Sequence, residues 1–164
     1  MLAKAKPMKE TIRIFDRHTR DLRKGRFSEP GRTYLITTVV HGRRPLFSDW
    51  QIGRVLVSEL RAAERLGFAQ SLAFVIMPDH LHWLVTLQSG NLPALMQRIK
   101  GHSAIAINRA LDSQGQVWQK GFHDHALREE EDLRAVARYI IANPLREGLV
   151  KKIGDYPLWD AIWL

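Results

Sequence analysis

The stretch "SLAFVIMPDHLHWLVTLQ", residues 71–88, decides the fold. Residues 71–77 form an apolar run that is typical of a buried strand, and residues 80–88 alternate in the way a second strand does. Between them, Pro78 and Asp79 form a typical tight turn, because proline presets φ at the first central turn position. The stretch therefore predicts a β-hairpin.

The two faces of the second strand differ in character. Leu81, Trp83, Val85 and Leu87 lie on one face by alternation, and we expect this apolar face to pack against the core. The other face begins with two histidines, His80 and His82. Their spacing of about 7 Å along the strand lets both imidazoles converge on one metal ion or one phosphate. A bare His-x-His is also typical of two partly exposed histidines that are satisfied by water or carboxylates.

The remaining elements are placed around this hairpin. The patterns predict a strand over 32–40, a helix over 48–68, a helix over 91–111, a strand or irregular edge over 116–128 and a helix over 129–143. Ser48 is the expected cap of the first helix and Gly67 its stop, and we expect Pro144 to end the last helix. The order β-α-β-β-α-β-α predicts an α+β fold, a ferredoxin-like split βαβ with a four-stranded antiparallel sheet and an added C-terminal helix.

Composition limits the classes of protein that remain. The 164 residues are 45% hydrophobic, which suits one domain with a proper core. No run of eighteen apolar residues predicts a membrane span, and the N-terminus lacks the pattern of a secretory signal. The absence of cysteine excludes disulfides, thiol nucleophiles and cysteine-ligated zinc. We expect a cytoplasmic protein.

The charge is concentrated at the N-terminus. Residues 1–32 hold ten Lys and Arg against four Asp and Glu, so +6 of the formal net charge of +8 lies there. A basic arm before a nearly neutral body indicates nucleic-acid binding, although a solubilising tail would look the same. We therefore divide the chain into a basic arm, 1–32, and a single domain, 33–164.

The last predicted helix carries two polar residues one turn apart. Tyr139 and Asn143 are related as i and i+4, so the phenol and the amide project from the same helix face. Taken alone, the pair is equally typical of a core tyrosine followed by a helix-terminating asparagine. A joint role with the two histidines is the functional interpretation.

These motifs together resemble a known family. "MPDHLHWL" resembles the His-hydrophobe-His (HUH) motif of single-tyrosine transposases, and "YIIANPLREGLV" resembles their tyrosine-helix segment. The stretches "RKGRFSEPGRTYLITTVV", "RRPLF" and "VWQKGFHDHALR" are similar to other signature segments of that family. The whole pattern, from about Arg23 to Val150, is most similar to the REP-associated tyrosine transposases, which are linked to short palindromic DNA repeats.

The resemblance implies a role for each of four residues. His80 and His82 match metal-binding histidines, and Asn143 matches the polar residue that completes the site through its side-chain oxygen. The implied metal is Mg²⁺ or Mn²⁺. Tyr139 matches the nucleophile that becomes linked to a 5′ phosphate of single-stranded DNA and leaves a free 3′ hydroxyl. The expected activity is that of a nucleoid-associated, metal-dependent endonuclease and strand transferase acting at repeat hairpins.

Arginine suits contacts with phosphate and with guanine, and in the family the N-terminal segment helps to recognise the bases that flank the hairpin. The expected DNA-binding residues are Arg20, Arg23, Lys24, Arg26 and Arg32. A monomer is expected by analogy with the REP-associated branch, while a dimer that shares its active sites stays open.

Two other functions are compatible with the sequence. One is a non-catalytic DNA- or RNA-hairpin binder on the same fold, and the other is a toxin-like metal-dependent RNase.

For several residues outside the motifs we expect ordinary structural positions. We expect an edge cluster at His123, Asp124 and His125, with the two histidines on one face and the aspartate on the other, core packing for Trp118 and Phe122, and surface positions for His41 and His102.

Overall fold

The computed structural model describes residues 28–128 and 131–163. Four of the expected DNA-binding residues, Arg20, Arg23, Lys24 and Arg26, lie outside the described residues. The helices and strands are β1 (Thr33–Val39), α1 (Trp50–Arg65), β2 (Ala69–Met77), β3 (His80–Leu87), α2 (Leu92–Ala110), β4 (His123–Ala126), α3 (Leu133–Ile141), α4 (Asn143–Arg146) and β5 (Trp159–Ala161). No helix in this described part is both long and apolar enough to cross a lipid bilayer.

The strands form one antiparallel sheet in the order β4-β1-β3-β2-β5. The first four positions in this order are those of the predicted split βαβ, and the α+β class is confirmed. The sheet has five strands rather than the four predicted. The additional strand β5 has only three residues, "WDA", and is held by pairing with β2, so no periodic pattern marks it in the sequence.

The predicted hairpin lies at the centre of the core. Leu81, Trp83, Val85 and Leu87 are all fully buried and pack with α1 and α2, as the alternation predicted. On the opposite face of β3, Leu84 packs with residues of α3. The sheet therefore has the pair α1 and α2 on one face and the tyrosine-bearing helix α3 on the face that carries the histidines.

The N-cap of the first helix lies one residue later than predicted. Asp49, not Ser48, is the N-cap, because its carboxylate accepts a hydrogen bond from the backbone N–H of Gln51. Ser48 lies in a 3₁₀ turn instead. Gly67 follows the end of the helix with φ of +77°, the left-handed conformation that glycine adopts without strain, and the predicted stop is correct.

The last helix is shorter than predicted. It begins at Leu133, where the side chain of Asp132 accepts hydrogen bonds from two backbone N–H groups, and it ends at Ile141. Pro144 does not end it. Pro144 lies in the first turn of α4, where the N–H that proline lacks would have no helical partner. The segment is thus divided into α3 and α4 at Ala142, just after the tyrosine.

Candidate active site

The two histidines at the start of β3 contact each other. Their ring centroids are 4.8 Å apart and the planes are nearly perpendicular, at 85°. The rings are closer than the spacing along the strand suggested because they tilt toward each other. Both side chains keep part of their surface exposed. The pair is therefore accessible from the face of the sheet that α3 covers in part.

His80 is oriented by its neighbour in the turn. Its Nδ1 lies 2.6 Å from Oδ1 of Asp79, and the other carboxylate oxygen lies 3.3 Å from Nη1 of Arg43. Burial by itself raises the pKa of Asp79, but the hydrogen bonds and charges of His80 and Arg43 bring it below its usual range. An ionised carboxylate only accepts, so Nδ1 of His80 is the donor, and in the neutral imidazole Nε2 is then the nitrogen that can bind a ligand. The sequence indicated a turn residue at Asp79 and not this role.

His82 is held by the neighbouring strand. Its Nδ1 lies 2.8 Å from the hydroxyl of Thr37, which is its register partner on β1. Burial, with smaller contributions from the charges of His80 and Arg146, lowers the pKa of His82 to about 3. The ring is therefore a neutral imidazole at physiological pH, which is the form that binds metal ions. Only the strand register, and no sequence motif, reveals the contact with Thr37.

The chain has three tyrosines, and their environments differ. The hydroxyl of Tyr34 accepts a hydrogen bond from the backbone of Glu29. The hydroxyl of Tyr156 donates to the carbonyl of Ile76 at 2.5 Å, and burial raises its pKa to about 12. The Tyr139 hydroxyl has no hydrogen-bond partner within residues 28–128 and 131–163. Tyr139 is thus the tyrosine whose oxygen is available for chemistry.

Tyr139 also lies on the same side of the sheet as the histidines. It is half-buried and packs against a cluster that includes Leu84 of β3 and Val75 of β2. Val75 is the register partner of His82, so the tyrosine helix covers the same row of the sheet that bears the histidine. The predicted association of the tyrosine helix with the histidine face is a feature of the fold.

Arg146 of α4 contacts both predicted polar residues of the tyrosine segment. Its guanidinium donates a hydrogen bond to Oδ1 of Asn143 and lies 3.9 Å from the ring centroid of Tyr139. Its charge also acts on His82. Arg146 therefore interacts with the tyrosine segment through direct contacts and with His82 through its charge. The sequence analysis did not find it, although a basic residue three positions after the asparagine in "NPLR" was the available signal.

The donor set at this site suits a divalent cation. Within the described residues, no three His, Cys, Asp or Glu side chains form a group that could hold a metal ion. The predicted set is instead two imidazoles and the amide oxygen of Asn143. A neutral imidazole offers one ring nitrogen to a cation, and an amide oxygen is an ordinary ligand of hard cations. By chemical type, these three side chains are therefore compatible with the Mg²⁺ or Mn²⁺ ion predicted from the sequence.

Arg32 lies at the other end of the sheet. It precedes Thr33, which pairs with Thr86, whereas His80 pairs with Val39 six positions along β1. At the rise of a strand this separates the two by about 20 Å. Arg32 is exposed, and with Arg128 it lines two neighbouring clefts at that end. Arg32 therefore lies at the end of the sheet opposite to His80.

The edge cluster on β4 divides between the two faces as predicted. His123 pairs with Thr37 and His125 with Leu35, on the histidine face, while Asp124 pairs with Ile36 on the opposite face. His125 lies 3.4 Å from a carboxylate oxygen of Glu131. The cluster does not form a second group of metal ligands within the described chain.

The positions predicted for two aromatic residues and two further histidines are confirmed. Trp118 is buried, and its indole N–H donates to the hydroxyl of Ser103, so it packs in the core rather than stacking on bases. Phe122 packs partly buried against the same core. His41 and His102 are exposed.

Comparison with known proteins defines the class to which this fold and site belong. The family model described as "Transposase IS200 like" matches residues 31–143, a range that includes β1, both histidines, Tyr139 and Asn143. The chain belongs to this family of IS200-like transposases.

Within that class, the chain is similar to REP-associated tyrosine transposases. It is 27% identical over 136 residues to the REP-associated tyrosine transposase of Escherichia coli strain K12, covering 80% of this chain and 78% of the relative. It matches the solved structure of a REP-associated tyrosine transposase bound to a REP hairpin with a TM-score of 0.65 and 27% identity, over 82% of this chain and 79% of that chain. These matches confirm the resemblance seen in the motifs.

A crystal structure from Deinococcus radiodurans shares the fold. The TM-score is 0.51 at 22% identity, and the match covers 74% of this chain and 97% of that chain. The fold is therefore shared by proteins of low sequence identity.

Proposed function

We propose that this protein is a metal-dependent, single-strand-specific DNA endonuclease and strand transferase that cleaves at repetitive palindromic hairpins through a covalent 5′-phosphotyrosine intermediate. The observation that carries the proposal is the placement of Tyr139 on the sheet face that presents His80 and His82, with a hydroxyl that has no hydrogen-bond partner among the described residues. Membership of the IS200-like transposases supports the same reaction class.

In the proposed cleavage step, the phenolic oxygen of Tyr139 attacks the phosphorus of a DNA phosphodiester. A bond forms between that oxygen and phosphorus, and the bond from phosphorus to the 3′ oxygen breaks. The phenol gives up its proton to solvent, and the departing 3′ oxygen takes one up as a free hydroxyl. Because the phosphotyrosine bond conserves the energy of the phosphodiester, a second 3′ hydroxyl can reverse the step and rejoin a strand without ATP.

The proposed cation site consists of His80, His82 and Asn143. A Mg²⁺ or Mn²⁺ ion bound there supplies a Lewis acid for the phosphoryl oxygens and the departing oxygen. Imidazole ligands favour Mn²⁺ over Mg²⁺. The residues contribute two features of their own: all three ligands are neutral and so leave the charge of the cation undiminished, and Asp79 and Thr37 fix the orientation of the two rings.

The proposed substrate is a DNA hairpin with a single-stranded flank. The support is the solved relative that is bound to a REP hairpin, together with the basic arm of this chain. The arm residues Arg20, Arg23, Lys24, Arg26 and Arg32 would contact phosphates or guanines. Since Arg32 lies about 20 Å from the histidine pair, DNA that reaches both would span the length of the sheet. Such a protein acts at the nucleoid.

The test is an adduct assay with a labelled single-stranded hairpin oligonucleotide and Mn²⁺. We expect a covalent protein–DNA species that is absent with Tyr139→Phe and absent when EDTA is added. Tyr156→Phe is the matched control, because it removes a phenol hydroxyl from the same chain that is bound to a backbone carbonyl and not to the site. Hairpin binding without any adduct would contradict the proposal and support a non-catalytic binder. Cleavage of an RNA hairpin without an adduct would support an RNase.

A further inference from the structure

Arg146 makes three interactions that concern the proposed site. It donates a hydrogen bond to the amide oxygen of Asn143, which is the atom proposed to bind the cation. It lies against the ring of Tyr139, 3.9 Å from the centroid. Its side chain is also exposed, so an anion from solvent can reach the guanidinium. Arg146 thus contacts the proposed third ligand and the ring of the proposed nucleophile while its guanidinium stays exposed to solvent.

A guanidinium in this position opposes the binding of a second cation. The amide oxygen of Asn143 would have to serve a divalent ion while it accepts from a positive group, and like charges repel each other strongly at such short range. Without DNA, Arg146 therefore weakens the affinity of the site for a divalent cation.

A phosphodiester removes this opposition. Guanidinium groups bind phosphate oxygens through two parallel hydrogen bonds. A phosphate is therefore a stronger partner for a guanidinium than a neutral amide oxygen is. A phosphate that reaches the exposed guanidinium would draw it from Asn143, free the amide oxygen and neutralise the charge. Binding of the metal ion and binding of DNA would then each strengthen the other through the side chain of Arg146.

We propose that Arg146 couples divalent-metal binding at His80, His82 and Asn143 to the arrival of a DNA phosphate. This rests on the proposed function, since it assumes that those three residues hold the cation. Arg146 acts here as a positioning residue for Asn143. The coupling would make a complete active site more common in protein that already holds its substrate than in protein without DNA.

The experiment measures metal binding and not activity. Calorimetric titration of Mn²⁺ is performed on Tyr139→Phe protein, which cannot cleave, with and without a single-stranded oligonucleotide. The same titrations are repeated on Tyr139→Phe protein that also carries Arg146→Gln. Tyr139→Phe protein that carries Arg138→Gln is the control. Arg138 is an exposed arginine at the end of α3, so its replacement changes the net charge by the same amount.

We expect Arg146→Gln to bind Mn²⁺ roughly tenfold more tightly than its parent when DNA is absent, a size that is ordinary for coupled sites. The factor by which DNA strengthens Mn²⁺ binding should fall accordingly in the Arg146→Gln protein. The Arg138→Gln protein should match its Tyr139→Phe parent in both measurements. Because linkage is reciprocal, Mn²⁺ should strengthen DNA binding less in the Arg146→Gln protein than in its parent. Thermal unfolding of each variant establishes that the comparison is between folded proteins.

Unchanged or weaker Mn²⁺ binding by Arg146→Gln without DNA would overturn the coupling. Failure of the proposed function has a different signature: protein with Tyr139 intact would form no DNA adduct, or the Tyr139→Phe protein would bind no Mn²⁺ even with DNA. An adduct in the first assay together with unaltered Mn²⁺ affinity in the second would therefore reject only the role of Arg146.

Discussion

The carboxylate of Asp79 and the imidazole of His80 form a hydrogen bond of 2.6 Å between adjacent residues of the β2–β3 turn. Because Arg43 binds the other oxygen of the same carboxylate, Asp79 stays in place and ionised. The turn that closes the central hairpin therefore also orients a proposed metal ligand. Fold and site share these residues.

Asp79→Asn should weaken divalent-metal binding about 10-fold to 100-fold, because the amide no longer holds His80 in the tautomer that leaves Nε2 unprotonated. Mn²⁺ titration of the protein with its DNA oligonucleotide measures the effect. Asp49→Asn is the matched control: asparagine is an equally good N-cap, so neither metal affinity nor stability should change appreciably. Equal Mn²⁺ affinity of the Asp79→Asn and parent proteins would contradict the role of Asp79.

Tyr139→Phe should retain the stability of the parent protein within about 0.5 kcal/mol, because the hydroxyl it removes has no hydrogen-bond partner in the described chain. Tyr156→Phe should cost about 1 kcal/mol, since it leaves the Ile76 carbonyl without its partner. Urea unfolding of the two variants beside the parent protein measures both values. A larger loss for Tyr139→Phe than for Tyr156→Phe would show that the hydroxyl of Tyr139 has a structural role.

Stability should fall with decreasing pH between about 6.5 and 3, and His82 should account for about one proton of that dependence. Burial lowers the pKa of His82 to about 3 in the folded protein, so in this window the unfolded chain binds a proton at this residue that the folded chain does not. Stability therefore rises with pH, by about 1.4 kcal/mol per pH unit for one proton. Urea unfolding at several pH values between 4 and 6 tests this. His82→Gln should have a shallower slope by about one proton, and an equal slope would refute the assignment.

Arg32→Gln should weaken hairpin binding several-fold and lower the slope of log affinity against log salt by about one, as loss of one phosphate contact does. Arg54→Gln serves as the control, because Arg54 is exposed on α1, in the helix layer on the other face of the sheet. Binding isotherms at several salt concentrations measure both quantities. If the two variants have the same slope as the parent protein, Arg32 does not contact a phosphate.

Local sequence patterns were sufficient for the hairpin, the buried face of β3 and the split βαβ strand order. Alternation of Leu81, Trp83, Val85 and Leu87 is a local property, so it predicts which face packs against helices before any partner is known. The i, i+4 relation of Tyr139 and Asn143 is local in the same sense. The motifs and their order along the chain also indicated the family, and the comparisons confirm it.

The tertiary structure alone decided the contacts that complete the site. Thr37 meets His82 across the β1–β3 register, and the guanidinium of Arg146 lies over the ring of Tyr139, which belongs to a different helix. The fifth strand likewise exists because β2 offers an edge to three residues that have no strand pattern of their own. The periodicity of a segment reports which of its faces is buried, but not which distant residue will lie against that face. That choice depends on how all the elements pack together.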